Sequence, residues 1–563
     1  MSHLLLDNPA LMFLGSFVLV FTYLISSQKR AGGNLLAVSA WCGIVSIGAY
    51  AVINILNINR VGMLWHDEAN ILSIAAAYTR GQQMYHPISS PFYYSLFYGP
   101  STFLVFAPFL AFFRRPIIAI RLGIFAVNLL NLSLLFTLLR TRLSRSASLA
   151  ILPIGIAFLL AYPGVLLGNR GDIWLLLCLL LSIASVLKYR PLGWVYPTVI
   201  CGLFGGLAID FKATAAPAVC CVLVILYRRY GHRAAILSAL LCIISAISIF
   251  CLPHIALPNY VGWLIISSHQ RLLKSTCILN AFAGAFLLAP VVLIRIFGGS
   301  LRQLRRVDWV MTSCCGVALV VCIVTGAKDG GGGWHLWPVL PFALIGAAYE
   351  VSLRCENCRR QTALDLSTQR QYAIATSNKA FVVIASMALA GASTSMYFAM
   401  HDIRVVRPHA DGTWRIKERT AQQALDGILS QSFPDRNLVM GYGTAVTDYR
   451  TDLRYELPLF GQDYYFDENS VVEGIKAGFP VPPRVTSRVL GCGSIWIIPH
   501  GEVPFSSIRT GVLPVTTTAY IFPDELRLHF SDEHVVFEQG GVFDLWKCSS
   551  GAINPSLTPI GSK

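Results

Sequence analysis

Long apolar runs alternate with short polar segments from the start of the chain to about residue 400, and then the pattern changes. Twelve runs read as membrane spans: residues 10–27, 34–56, 117–139, 149–167, 173–187, 192–209, 213–227, 234–252, 277–296, 309–326, 336–351 and 380–400. Each approaches the roughly 20 apolar residues that carry a helix across a bilayer. The apolar stretch 192–227 is too long for one crossing at about 1.5 Å per residue. It divides at Asp210, Phe211 and Lys212, because charges in mid-bilayer are costly. After residue 400 charged residues, prolines and glycines become frequent. Residues 437–446, 493–499 and 535–546 read as strands and 421–430 as a helix. The expected fold class is a polytopic α-helical membrane protein of about twelve transmembrane helices, with interfacial helices in its first external loop and a C-terminal α/β domain. The expected division is 1–400, containing the loop 57–116, and 401–563.

Composition agrees with a lipid environment. Of 563 residues, 55% are hydrophobic and 13% charged, against about 25% charged in a soluble domain. The net charge of +15 is spread over short basic clusters between apolar runs. That pattern orients a chain in a membrane and attracts anionic headgroups. No basic stripe with interleaved aromatics occurs, so nucleic acid is excluded as a partner and membrane lipids are included. Residues 101–113 are apolar but short. If they lie in the interface or re-enter, the basic clusters at 29–30, 140–145, 188–190, 228–233, 302–306 and 354–360 share one side. The turns bearing Asp67 and Glu68, Asp172, Asp210 and Asp329 then share the other, extracytoplasmic side, as does everything after Met400.

Candidate chemistry begins at Trp65, His66, Asp67 and Glu68. Asp67 can cap a helix running to Tyr78 or Thr79, with Gly81 as its stop. Ile71, Leu72, Ile74, Ala75 and Tyr78 give that helix an apolar face, so it can lie flat on the membrane surface. The plain reading makes Asp67 a cap and Glu68 a dipole partner. The functional reading rests on the segment after the helix. Tyr85, His86, Pro87, Tyr93, Tyr94, Tyr98 and Pro100 form an aromatic, proline-rich wall suited to sugar rings or isoprenoid chains. A carboxylate beside it suits a general base for an acceptor hydroxyl.

The order of an apolar span, Asp67 and Glu68, then Gly81, Tyr85 and Pro87 in a G-x-x-x-Y-x-P element, then Tyr98, Gly99 and Pro100, then Arg121 at the next span, resembles the GT-C superfamily of integral membrane glycosyltransferases. The resemblance covers roughly residues 34–252, and the later helices more loosely. It implies a polyprenyl-phosphate-linked sugar donor, a glycan, lipid or protein acceptor, and Asp67 as the essential acid of the first external loop, with inversion at the anomeric carbon. It also implies an acidic residue at the second external turn, which points to Asp172; a plain helix cap is the alternative. A departing phosphate needs cationic stabilisation. Arg121, Arg170, Lys212, Lys328 and His335 are the candidates. Arg170 could equally reach a headgroup. Lys212 could simply pair with Asp210. The run Gly326 to His335 holds four consecutive glycines that either expose backbone amides to phosphate or form a plain loop. A divalent metal is left open, since Asp67, Glu68 and Asp172 could converge on one. Cys492 and Cys548 stand at strand-like ends in a compartment that permits disulfides, and are expected to bond. The competing class is a transporter or flippase. Its charges should sit near mid-membrane in paired repeats, whereas here they sit at helix ends.

Overall fold

The computed structural model turns the apolar runs into helices that break at the charged and glycine-bearing turns. The structure describes residues 16–18, 20, 35–60, 62–64, 67–94, 97–188, 193–297, 309–328, 330–363, 367–406, 412–431, 433, 436–442, 451–507 and 519–549. Among the described residues, seven helices are long and apolar enough to cross a bilayer: Leu35–Ile58, Pro116–Arg140, Ala213–Tyr230, His232–Cys251, Lys274–Arg295, Gly333–Leu353 and Val382–Arg404. Arg145–Leu160, Val195–Phe211 and Thr312–Thr325 are apolar but shorter. Asp172–Lys188 fills the remaining expected run. Most of the run 10–27, with Trp65, His66, Asp329 and Gly443, lies outside the described residues. The breaks have local causes. Ser144 caps Arg145–Leu160 by accepting from the Ala147 amide. Gly231, at φ +85°, separates two helices that would otherwise merge.

The chain forms two compact units that interleave along the sequence, and they do not follow a single cut at residue 400. The first comprises Met1–Arg60, Ile117–Cys251 and Arg271–Pro408. In it Val195–Phe211 packs on His232–Ser248 and on Asp172–Lys188, while Leu35–Ile58 packs on Arg145–Leu160 and on Ser367–Val406. A Cβ on Gly206 would stand 2.4 Å from the Cys242 carbonyl, so this crossing needs a residue without a side chain.

The second unit comprises Val61–Pro116, Leu252–Gln270 and His409–Lys563. The first loop therefore belongs with the C-terminal segment. Its four-stranded sheet has the order β1 (Asn437–Met440), β2 (Ser494–Pro499), β4 (Phe543–Cys548) and β3 (His534–Gln539). β1 runs parallel to β2 and the other pairs are antiparallel. The expected strand 535–546 is thus two strands, divided at Gly540 and Gly541, where the Gly540 amide bonds the Phe543 carbonyl at 3.0 Å. Tyr442, Ile495, Ile497 and Leu545 form the core beneath Leu425 and Ile428 of the helix Gly412–Ser430. The stretch 101–113 forms two short helices, Ser101–Leu104 and Ala107–Phe112. At about 1.5 Å per residue these reach about 18 Å, short of the roughly 30 Å hydrocarbon core.

The helix Asp67–Thr79 corrects one expectation. It does not present one apolar face and one wet face, because every residue from Asp67 to Ala77 is buried. It packs against Thr451–Tyr455, Glu456–Leu459 and Ala107–Phe112. Its small residues allow this: Ala69, Ala75, Ala76 and Ala77 are at most 2% exposed. Its polar positions are bonded internally. Ser73 donates to the Ala69 carbonyl at 2.7 Å and Asn70 accepts from the Tyr464 hydroxyl at 3.1 Å. Gly81 ends the helix at φ +81°, with its amide on the Tyr78 carbonyl at 3.0 Å.

Candidate active site

In the second unit, Asp67 opens its helix with 7% of its surface exposed. The Asn469 amide donates to Oδ1, and the Tyr98 hydroxyl approaches Oδ2 at 3.4 Å. Asn469 lies in the helix Glu468–Lys476, whose start is capped by the Asp467 carboxylate on the Ser470 amide at 2.7 Å. The carboxylate is thus held between the Asn469 amide on one oxygen and a half-buried phenol on the other. Glu68 is fully buried, and its Oε1 takes the Leu64 amide at 2.7 Å. This bond braces the segment just before the helix.

The aromatic wall is also reassigned. Tyr85, Tyr93 and Tyr94 are at most 1% exposed. Tyr85 donates to the Tyr98 carbonyl at 2.6 Å and Tyr94 to the Gln83 carbonyl at 2.7 Å. Tyr93 stacks edge-on with Trp263. These rings are packing that holds the loop, and Tyr98 alone of the four is half-buried with its hydroxyl toward a carboxylate. His86 is held neutral near pH 7. Burial and then the Arg488 charge bring its pKa down to about 4, and its Nε2 bonds the Tyr94 hydroxyl at 2.9 Å.

The first unit gathers charges at the turn before Asp172–Lys188. Asp172 receives Lys212 Nζ on Oδ1 at 3.0 Å and Arg170 Nε on Oδ2 at 3.3 Å. Lys212 was expected to pair with Asp210, two residues away. A 3.0 Å bond takes it to Asp172, 40 positions back in the sequence. Arg170 lies over the Trp334 ring at 5.6 Å. His335 is half-buried and feels the charges of Lys212, Asp172, Arg170 and Lys328. Arg170 and Lys212 thus converge on the two oxygens of one buried carboxylate. Arg121 instead donates to the Arg60 carbonyl, so part of its fork serves the backbone.

Four buried asparagines position this turn, and the sequence reading missed them. Asn128 donates to Asn54 at 2.7 Å and to the Leu166 carbonyl at 2.9 Å. Asn57 donates to the Leu167 carbonyl and Asn131 to the Ile173 carbonyl, each at 2.9 Å. The signal was present, since amides spaced i, i+3 inside two apolar runs need buried partners. The glycine run is neither an open phosphate cradle nor a slack loop. A Cβ on Gly331 would stand 2.4 Å from the Gly326 carbonyl, and one on Gly333 would stand 1.9 Å from the Tyr162 hydroxyl. The segment doubles back on itself too tightly for side chains.

Among the described residues no three His, Cys, Asp or Glu side chains are gathered to hold a metal ion. Asp172 faces two cations, and Glu68 Oε1 faces a backbone amide. Cys492 and Cys548 are joined by a disulfide with Cα atoms 5.1 Å apart, tying the end of β4 to the turn before β2.

No protein-family model matches the chain, and no curated protein matches it in sequence. Its fold is similar to that of ArnT from Cupriavidus metallidurans bound to undecaprenyl phosphate. The TM-score is 0.52 at 14% identity, over 90% of this chain and 98% of that one. The apo form of the same protein gives 0.50 and 13%, over 89% and 97%. The archaeal oligosaccharyltransferase AglB from Archaeoglobus fulgidus, solved with an inhibitory peptide and a dolichol-phosphate, is more distant at 0.42 and 12%, over 82% and 69%.

Proposed function

We propose that this chain, which has the GT-C fold, is an integral membrane glycosyltransferase that moves a sugar from a polyprenyl-phosphate donor to an acceptor hydroxyl outside the cytoplasm. The observation that carries the reading is the fold, shared with ArnT along nearly the whole of both chains. The acceptor oxygen attacks the anomeric carbon and forms the new glycosidic bond. The bond from that carbon to the phosphate oxygen breaks, and the phosphate leaves with the electron pair. Asp67 takes the hydroxyl proton, oriented by Asn469 and Tyr98. Attack opposite the leaving group inverts the anomeric carbon. Arg170, Lys212 and Lys328 stabilise the charge that develops on the phosphate, and Asp172 fixes the first two in place.

A general base contributes about 10²–10⁴ in rate, so Asp67→Asn should lower transfer from radiolabelled polyprenyl-phosphate sugars by at least about a hundredfold. Full transfer by that variant, in membranes supplied with donor, would falsify the assignment. Arg170→Gln should raise the donor concentration needed for half-maximal rate.

A further inference from the structure

We propose that an open cleft at the amino-terminal ends of β1 and β2 binds an acidic saccharide, and that it is the subsite where a uronate-bearing acceptor glycan docks. The second part rests on the transferase reading above. The cleft has a volume of about 600 Å³, within the range that holds a ligand of several rings. Its lining decides the ligand class. Arg436 and Arg488 supply positive charge, and Asn437, Gln462, Tyr465 and Ser494 supply polar groups. Gly461, Gly491 and Gly493 complete it, leaving backbone exposed where side chains would otherwise stand. Among the described residues no aliphatic side chain lines it, which disfavours a lipid tail or an apolar peptide anchor.

Arg488 is the organising group. Its guanidinium lies 3.9 Å over the Tyr465 ring and 4.5 Å over the Phe92 ring, which fixes the plane of the fork. Nη2 pairs with Asp463 at 3.1 Å. Nε is buried with no hydrogen-bond partner. A stacked, planar cation with 29% of its side chain still exposed is preorganised for a carboxylate. Tyr465 is held by its hydroxyl on Ser494 at 3.0 Å, so the platform is tied to the first residue of β2. Asp463 also receives Gln82 at 3.3 Å. Among the described residues, counting it against the two arginines leaves one net positive charge at the cleft. The Arg488 field is felt outside the cleft as well, since it helps keep His86 uncharged.

The test is calorimetry on the full-length protein in nanodiscs with a galacturonate trimer. Maltotriose and inorganic phosphate serve as comparison probes. The trimer should bind in a salt-dependent way, at least tenfold tighter than either. Arg436→Gln should weaken it several-fold, and Arg488→Gln more. Arg436 is exposed, so its variant keeps the measurement valid if Arg488→Gln unfolds. Equal binding of maltotriose, equal binding of phosphate, no binding of the trimer, or unchanged affinity in Arg436→Gln would each overturn the proposal. The cleft is judged by binding alone and the transferase reading by transfer from the lipid-linked donor, so failure of the one and failure of the other remain separate results.

Discussion

Lys212→Met is the sharpest probe of the charge cluster, because its cost can be worked from one distance. Nζ lies 3.0 Å from Asp172 Oδ1, with the two side chains 12% and 5% exposed. At an effective dielectric of about 20 the attraction is about 5.5 kcal/mol. Part of that offsets the desolvation of the two ions. Removing one partner of a buried pair typically costs about 3–5 kcal/mol, because the other charge stays behind. Arg170 still reaches Asp172 at 3.3 Å, which places the expected loss near the lower end, at about 3 kcal/mol. Asp172→Asn removes the stranded charge. In the double variant the second change should therefore be milder than alone, with a coupling of about 1–3 kcal/mol. The assay is denaturant-driven unfolding of the four proteins in one detergent, followed by tryptophan fluorescence. Additivity within about 0.5 kcal/mol, or an unchanged midpoint for Lys212→Met, would refute the pairing.

Other expectations are as direct. Gly333→Ala should destabilise by about 1–3 kcal/mol through overpacking on Tyr162, and Tyr162→Ala in the same chain should recover part of the loss in an unfolding titration. Cys492→Ser should lower stability by up to about 4 kcal/mol for a bridge spanning 56 positions, and reductant should shift the parent's unfolding midpoint but not the variant's. His86 has a folded pKa of about 4 against about 6.5 unfolded. Its depressed value means the unfolded chain takes the proton first, so its contribution is complete above about pH 6.5 and is lost as pH falls toward 4. His86→Phe should flatten stability across that window, and an unaltered pH profile would rule the contribution out. A cysteine introduced beside Arg142 should react with an impermeant reagent only from the cytoplasmic side; labelling from outside would reverse the orientation used in the proposed mechanism.

Local chemistry was legible in the sequence and distant partners were not. The helix from Asp67 to Thr79 and its stop at Gly81 followed from capping and from glycine's access to positive φ. Its burial did not follow, because Asn70 and Ser73 look like a wet face until Tyr464 and the Ala69 carbonyl are seen to bond them. The tyrosines of the first loop were recognisable as a group, but the carbonyls that receive their hydroxyls are set by how the loop folds. Lys212 had a carboxylate two residues away, and a reading limited to neighbours had no means of preferring Asp172. Of the candidate site, Asp67, Asp172, Arg170 and Lys212 were legible as residue types at helix ends. Asn469 was not, because nothing near it in sequence marks a contact 402 positions away.

That separation has a consequence for synthesis. The unit that holds Asp67 draws on residues 61–116, 252–270 and 409–563, so its first strand of chain leaves the ribosome long before its last. While the intervening helices are being made, Asp67 has neither Asn469 beside it nor Thr451–Tyr455 packed on its helix. Such late closure is the kinetic penalty of contacts far apart in sequence. On the proposed mechanism it also acts as a safeguard: a nascent or prematurely terminated chain has the acid but not the setting, and sugar transfer waits for the final segment to arrive.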